Sequence, residues 1–276
     1  MLPLVLVPLA AMCPLATLST RAVALRTTWG LGSTLPASPL AFASEFAAGT
    51  EADTPRGWAN WLLPGRLMAG QYPSVQPEVP GPTVDEANQH LARLIAAGID
   101  GFVSLQAEVP PQDASESWPA GGVPLAGASA RRFPGAFRRY GGEAARIAAE
   151  QSAAEPRMYH CPIEDLSVPS DAERLLRLLD TCLAHWEGGG SALYVHCWGG
   201  RGRAGLVGSA LLALMYPGLE GDSILAHVQR GYDSRAGADS MPAALRASPQ
   251  TEAQRQVVRA YARDVRASRL SDLGVL

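Results

Sequence analysis

The stretch YVHCWGGRGRAG, residues 194–205, constrains the fold more than any other part of the chain. It joins residues 192–197, a continuous apolar segment, to residues 204–216, which are apolar on all sides. The first segment is typical of a strand in a sheet that is covered on both faces, and the second of a buried helix. A strand, a glycine loop and a buried helix in this order predict an α/β layer fold.

Strand and helix patterns alternate along the rest of the chain. They predict strands at residues 65–73, 101–106 and 157–163, and helices at residues 83–98, 170–187, 222–230 and 250–266. Residues 107–156 are rich in Pro, Gly and Ala and form a long excursion with a helix near residues 141–152. The expected architecture is a central, mostly parallel sheet of about four to five strands flanked by helices, with the glycine loop entering the central helix.

Three of the predicted helices begin with the spacing of a capping box. In this arrangement a Ser or Thr and an acid or amide three residues later bond each other's backbone. The pairs are Thr83 with Glu86, Ser170 with Glu173, and Thr251 with Gln254.

Residues 1–52 differ in composition from the remainder and are predicted to be a leader or a disordered segment. The first 44 residues hold no acid, two arginines and nine Ser or Thr, and their apolar start is interrupted by prolines. This composition is typical of an organelle transit peptide, with a disordered tail or a membrane anchor as alternatives. We therefore expect a cytoplasmic protein, or a plastid or mitochondrial one if the leader is a transit peptide. Residues 53–276 would form the folded domain.

Charge and cysteine usage exclude several classes of protein. The net charge is −3 and the pI is about 6.0, so the chain has no overall basic field for nucleic acid. All 23 cationic residues are arginines, which excludes lysine chemistry such as a Schiff base or a Walker-type ATP loop. The four cysteines are scattered without CxxC spacing, so we predict neither a disulfide framework nor a metal site.

The glycine loop has the features of a site for a tetrahedral oxyanion. Gly199, Gly200 and Gly202 allow the backbone to bend tightly and to approach a ligand closely. The N–H groups of such a loop and of the following helix start form an anion-binding nest. Arg203 adds a planar fork that can hold two oxygens of one phosphate.

Cys197 opens the loop, at the start of the predicted helix and close to two arginines. A cysteine in such a place is held as a thiolate at neutral pH, which is its nucleophilic form. A thiolate beside a bound phosphate indicates nucleophilic catalysis through a phosphocysteine. Five residues separate Cys197 from Arg203, giving the pattern HC-x5-R. The alternative is a glycine-rich turn with a buried core cysteine.

This pattern resembles the signature loop of the cysteine-based protein tyrosine and dual-specificity phosphatase superfamily. The resemblance implies that residues 53–276 form a phosphatase-like catalytic domain, with Cys197 as nucleophile and no metal or cofactor. Arg203 would bind the phosphate together with the loop backbone at Trp198, Gly199, Gly200, Arg201 and Gly202. In the family the histidine before the nucleophile, here His196, orients the loop.

The general acid is expected on residues 161–171, CPIEDLSVPSD, between a strand and a helix. Asp165 with Pro169 resembles the acid loop of several members of the superfamily, and Glu164 is the neighbouring alternative. Asp165 as a turn residue without a chemical role also remains open.

Three further positions bear on the resemblance. Gln250 is similar to the glutamine that positions the attacking water in tyrosine phosphatases, although it also precedes the Thr251 cap. Arg201 could recruit a second phosphate group or could face solvent or an acid on the rim. Ala204 departs from the family, which usually has Ser or Thr after the loop arginine. The missing hydroxyl affects breakdown of the intermediate rather than phosphate binding.

The leading hypothesis is hydrolysis of phosphomonoesters through a phosphocysteine, by an enzyme of the protein tyrosine or dual-specificity type. Its substrate would be a phosphorylated protein or an inositol phosphate, with no nucleic-acid partner and no firm membrane association. The alternatives are a phosphoinositide or small-metabolite phosphatase, and a phosphate-binding module that no longer turns over. The arginine group at residues 131–140 would either extend a basic rim or form a solvated helix edge.

Overall fold

The strand that leads into the glycine loop lies at the centre of a five-stranded sheet in the computed structural model, which describes residues 55–242 and 245–272. The sheet strands are β1 (Ala59–Leu63), β2 (Leu67–Gly70), β3 (Ile99–Gln106), β6 (Arg157–Ile163) and β7 (Ala192–His196), in the order β1-β2-β7-β3-β6. β2, β7, β3 and β6 run parallel and β1 is antiparallel to β2. The predicted fold class is confirmed.

The excursion after β3 carries a second, two-stranded sheet and two of the seven helices in the described residues. Its strands are β4 (Val123–Pro124) and β5 (Ala136–Phe137). The helices are α1 (Val84–Ala96), α2 (Gly127–Arg132), α3 (Gly141–Glu150), α4 (Ala172–Glu187), α5 (Gly202–Met215), α6 (Gly221–Asp233) and α7 (Glu252–Asp272). Short 3-10 turns lie at Pro55–Gly57, Ser115–Ser117 and Ala238–Ser240.

Two capping boxes form as predicted. Thr83 Oγ1 accepts from Glu86 N at 3.1 Å, and Glu86 Oε2 accepts from Thr83 N at 2.8 Å. The box at Thr251 and Gln254 has bonds of 3.1 and 3.2 Å.

The predicted cap of α4 by Ser170 is wrong. The residue before the helix is Asp171, whose carboxylate accepts from Glu173 N at 2.9 Å. The Ser-x-x-Glu spacing is present, but an aspartate one residue later is an equally good cap and lies at the actual start of the helix.

Helices cover both faces of the sheet, so alternate residues of each central strand enter two different cores. Leu193 and Val195 pack with α4 to α7, whereas Tyr194 packs with α1, α3 and the excursion. This double coverage is the reason that β7 is apolar at every position. No helix in the described part of the chain has both the length and the apolar character needed to cross a membrane.

The parallel strands bring four loops to one edge of the sheet. The segments after β2, β3, β6 and β7 all leave from carboxyl ends of parallel strands, where ligands bind in open α/β sheets. The predicted leader, residues 1–52, lies outside the described residues.

Candidate active site

The glycine loop, residues 197–201, connects β7 to α5 and is closely packed against its neighbours. Cys197 is 3% exposed and belongs to the core on the α5 side of the sheet. The Trp198 carbonyl accepts from Tyr72 N at 2.9 Å, which ties the loop to the segment after β2. Because α5 begins at Gly202, the N–H groups of its first turn face the space that follows Cys197.

Gly200 is required by its backbone conformation and by its surroundings. Its φ is +66°, and a Cβ there would lie 2.2 Å from the carbonyl carbon of Gly70. The loop therefore passes directly against the end of β2, in a path that only glycine can follow. By contrast, Gly199 is exposed and a Cβ there would meet nothing within 4 Å.

A buried arginine secures this path from outside the signature pattern. Arg235 donates to the Gly200 carbonyl at 3.0 Å, to the Ala69 carbonyl at 2.9 Å and to Asn60 Oδ1 at 2.7 Å. Burial lowers the pKa of its guanidinium. Arg235 thus connects β1, β2 and the glycine loop. Its own positive charge lies in the interior, beside Cys197.

Arg203 is held in one orientation by neighbouring groups. Its side chain is 1% exposed and makes a two-point contact with Glu108, at 2.6 and 3.0 Å. It also donates to the Ile163 carbonyl at 3.0 Å. Burial alone lowers the pKa of this guanidinium, but the charges of Cys197, Glu108 and Asp165 outweigh that effect and leave it raised. The fork is therefore charged, and its orientation is set in advance.

Asp165 lies at the same edge of the sheet as Arg203. Its Oδ1 is 3.1 Å from Arg203 Nη2, and its side chain is 48% exposed. Glu164 is also exposed, and among the described residues its side chain makes no bond to the glycine loop. The structure thus brings Asp165, and not Glu164, to the loop arginine.

His196 is buried and held as a neutral ring. Burial lowers its pKa to about 3, while a backbone hydrogen bond at Cys197 acts in the opposite direction. Its Nε2 is 2.7 Å from the hydroxyl of Tyr140, whose pKa burial raises well above the usual value. Both groups are neutral, and which of them donates across this contact depends on the tautomer of the His196 ring. This geometry suits the orienting role that the resemblance implies.

Two loop side chains contact segments outside the loop. Trp198 Nε1 donates to the Pro77 carbonyl at 3.1 Å, and its ring packs edge-on against Phe133 at 5.3 Å. Arg201 Nη1 contacts the Leu245 carbonyl and lies 2.6 Å from the sulfur of Met241. Arg201 thus contacts a backbone carbonyl and a sulfur rather than a rim acid.

Gln250 lies against the first residue of α5. A Cβ on Gly202 would be 3.2 Å from the Gln250 Cβ and 3.3 Å from its Oε1. Ser248 Oγ donates to the Arg201 carbonyl at 3.0 Å, so the segment before α7 docks on the end of the glycine loop. The structure therefore brings Gln250 to the end of the glycine loop, and its role toward an attacking water stays a prediction.

Sequence reasoning missed Glu108 and Arg235. Glu108 follows β3 by two residues, and β3 pairs with β7, so the two strand ends meet. Knowledge of the strand order would have identified it. Arg235 lies in a loop after α6 that no motif marks, and the sequence contains no signal that distinguishes it from other arginines.

Several solved structures align with most of this chain. Tk-PTP in its active form aligns with a TM-score of 0.42 and 20% identity, over 76% of this chain and 97% of its own. Kinase associated phosphatase aligns with a TM-score of 0.45 and 16% identity, over 73% of this chain and 87% of its own. PTPMT1 in complex with PI(5)P aligns with a TM-score of 0.42 and 12% identity, over 76% of this chain and 97% of its own. No curated protein matches the chain.

A family model matches residues 147–258, that of the Swiss Army Knife protein, DSP-PTPase phosphatase domain. The matched residues include Asp165, the whole glycine loop and Gln250. The match begins after Glu108, so it leaves that residue out, and it also leaves out most of α7. The resemblance seen in the signature loop is therefore confirmed: residues 147–258 are similar to the phosphatase domain of the cysteine-based dual-specificity superfamily.

Proposed function

We propose that this chain hydrolyses phosphomonoesters through a phosphocysteine formed on Cys197. The observation that carries the proposal is the meeting of three groups at one edge of the sheet. The loop starts with Cys197, the Arg203 fork is pinned by Glu108, and Asp165 lies 3.1 Å from that fork. Together they would supply a nucleophile, a phosphate clamp and an acid, the three groups that this displacement needs.

The reaction would proceed in two displacements at phosphorus. In the first, the Cys197 thiolate forms the S–P bond while the ester P–O bond breaks, and Asp165 gives its proton to the departing oxygen. In the second, Asp165 takes a proton from water, whose oxygen attacks phosphorus as the S–P bond breaks. Inorganic phosphate leaves and the thiolate is restored. Arg203 and the loop N–H groups stabilise the equatorial oxygens in both steps.

A rapid acid quench with a radiolabelled aryl phosphate tests this proposal on the purified full chain. We expect one protein-bound phosphate per chain to appear before steady-state release of inorganic phosphate. Hydrolysis without any protein-bound phosphate, or no hydrolysis of any aryl phosphate, would contradict it.

The excursion favours substrates with negative charge beside the phosphoester, such as inositol phosphates or acidic phosphopeptides. No acid lies between Glu116 and Glu143, while this stretch holds four arginines. Arg132 stacks on Phe133 at 5.1 Å, and Phe133 packs on Trp198 beside the nucleophile. A basic surface next to the phosphate site attracts such substrates over short range and in a salt-dependent manner.

Reversing this charge should change selectivity rather than chemistry. Arg131→Glu with Arg132→Glu should lower kcat/KM for an inositol polyphosphate or an acidic phosphopeptide by about tenfold at low salt. Activity on a neutral-ring aryl phosphate should stay within about twofold. The control is Arg263→Glu, an arginine on α7 with a 76% exposed side chain. Equal losses on all substrates would contradict the proposal.

Ala204 favours a second candidate, a module that binds phosphate and releases it slowly. Ala204 is fully buried in the first turn of α5, where the resemblance implies a hydroxyl that assists departure of the thiolate. A stoichiometric burst followed by negligible steady-state hydrolysis would identify this candidate.

Ala204→Ser should therefore raise kcat. A hydrogen bond to a charged group contributes about 1.5 to 3 kcal/mol, roughly one to two orders of magnitude in the breakdown rate. KM should rise as the intermediate stops accumulating. Ala213→Ser, another buried alanine of α5, is the control and should not increase kcat. An unchanged kcat with no trapped phosphoenzyme in the wild type would show that alanine does not limit turnover.

A further inference from the structure

The turn that presents Asp165 contains an unfavourable backbone conformation. Ser167 N donates to the Glu164 carbonyl at 3.1 Å, which closes a four-residue turn. Its third residue is Leu166, with a φ of +60° and 52% exposure. This is a position that turns usually give to Gly or Asn. An exposed leucine gains little from packing there, so contacts from outside the turn must hold its shape.

Gln254 supplies such a contact from the interior. Its side chain is fully buried, and its Nε2 donates to the Ser167 carbonyl at 2.8 Å. Its Oε1 accepts from Thr251 N at 3.1 Å in the cap of α7. Because one end of the amide must donate and the other accept, the network fixes the amide orientation. The same Oε1 lies 3.2 Å from where a Cβ of Gly202 would be.

The ion pair between Asp165 and Arg203 cannot hold the turn during the reaction. A phosphate bound by Arg203 would compete with Asp165 for Arg203 Nη2 and release the carboxylate from it. The bond from Gln254 to Ser167 uses no group that binds phosphate, so it persists when the site is filled. It connects the acid turn to α7, and the segment just before α7 contacts the start of α5 through Gln250 and Ser248.

We propose that Gln254 is a positioning residue that keeps Asp165 over the phosphate position while substrate is bound. The inference rests on the proposed phosphatase function and adds a role that the capping box alone would not give to this side chain.

The two roles of Gln254 can be separated by substitution. Gln254→Glu keeps an oxygen acceptor for the cap, since Glu is equally suited to a capping box, but places a carboxylate against the Ser167 carbonyl. Thr251→Val is the matched control, because it removes the other half of the cap and leaves the bond to Ser167. Gln254→Met, similar in length but without either hydrogen bond, serves if the Glu variant does not fold.

The expected result is a loss that depends on the leaving group. Gln254→Glu should lower kcat about tenfold for phenyl phosphate, a poor leaving group that needs the acid, and less than about threefold for a dinitrophenyl phosphate. Thr251→Val should change both by less than about twofold. In an Asp165→Asn background, Gln254→Glu should cause no further loss, because two residues that act as a unit are not additive.

Equal losses for both leaving groups, or a further loss in the Asp165→Asn background, would overturn the positioning role in favour of a purely structural one. No loss in any variant would also overturn it. A wild-type chain without hydrolysis would instead refute the proposed function. In that case amide hydrogen exchange still tests whether Gln254 holds the turn. The amides of residues 166–168 should exchange faster in Gln254→Glu than in Thr251→Val. Equal rates would refute a role for the contact between Gln254 and Ser167.

Discussion

Cys197→Ser should abolish hydrolysis of a generic aryl phosphate while phosphate binding remains measurable. A serine hydroxyl does not ionise at neutral pH in this loop, so the nucleophile is lost. The anion site is built from other groups, since Gly200 is held by Arg235 and the Arg203 fork by Glu108. Steady-state assay of the variant measures the loss, and isothermal titration with inorganic phosphate measures what remains.

Cys182→Ser is the matched control for this result. Cys182 is as fully buried as Cys197, but it lies on α4, and burial raises the pKa of its thiol so that it stays protonated. This variant should keep its activity. If Cys197→Ser retains activity within about tenfold of wild type, a phosphocysteine mechanism is wrong. If it loses phosphate binding as well, the thiolate itself organises the loop.

The strand-to-helix frame of the site could be predicted because its signals are local. An all-apolar strand, a loop with three glycines and a helix without a polar face are adjacent in sequence, so no long-range pairing has to be guessed. The Thr83 cap is local in the same way. The β1 strand escaped prediction because its five residues, ANWLL, do not alternate and are joined to β2 by a very short link.

The groups that fix the site are long-range, and this is why sequence reasoning did not find them. Glu108 is 95 residues from Arg203, and Arg235 is 175 residues from Asn60. Their contacts exist because β3 and β2 both pair with β7. The local sequence pattern does not predict this strand order. For Arg201 the sequence left solvent, an acid or a phosphate as possible contacts, whereas the guanidinium contacts the Met241 sulfur and the Leu245 carbonyl.

Asp165→Asn should slow turnover by roughly 10²-fold or more for poor leaving groups and by much less for good ones. The amide keeps the size of the side chain and can still contact Arg203, so the turn should be undisturbed. Only the proton that the departing oxygen needs is removed. The basic limb of the pH–rate profile should flatten, because that limb reports loss of the acid's proton.

Glu164→Gln tests whether the role belongs to the neighbouring carboxylate. Glu164 precedes Asp165 in the same turn, but of these two carboxylates only Asp165 is seen within bonding distance of Arg203 among the described residues. Glu164→Gln should therefore leave the leaving-group dependence of the wild type intact. A loss confined to Glu164→Gln would transfer the acid role to that residue. An equal loss across leaving groups in Asp165→Asn would mean that Asp165 supports the turn without giving a proton. The expected contrast between the two variants follows from one distance: a group that donates to the oxygen leaving phosphorus must lie beside the guanidinium that holds the phosphorus in place.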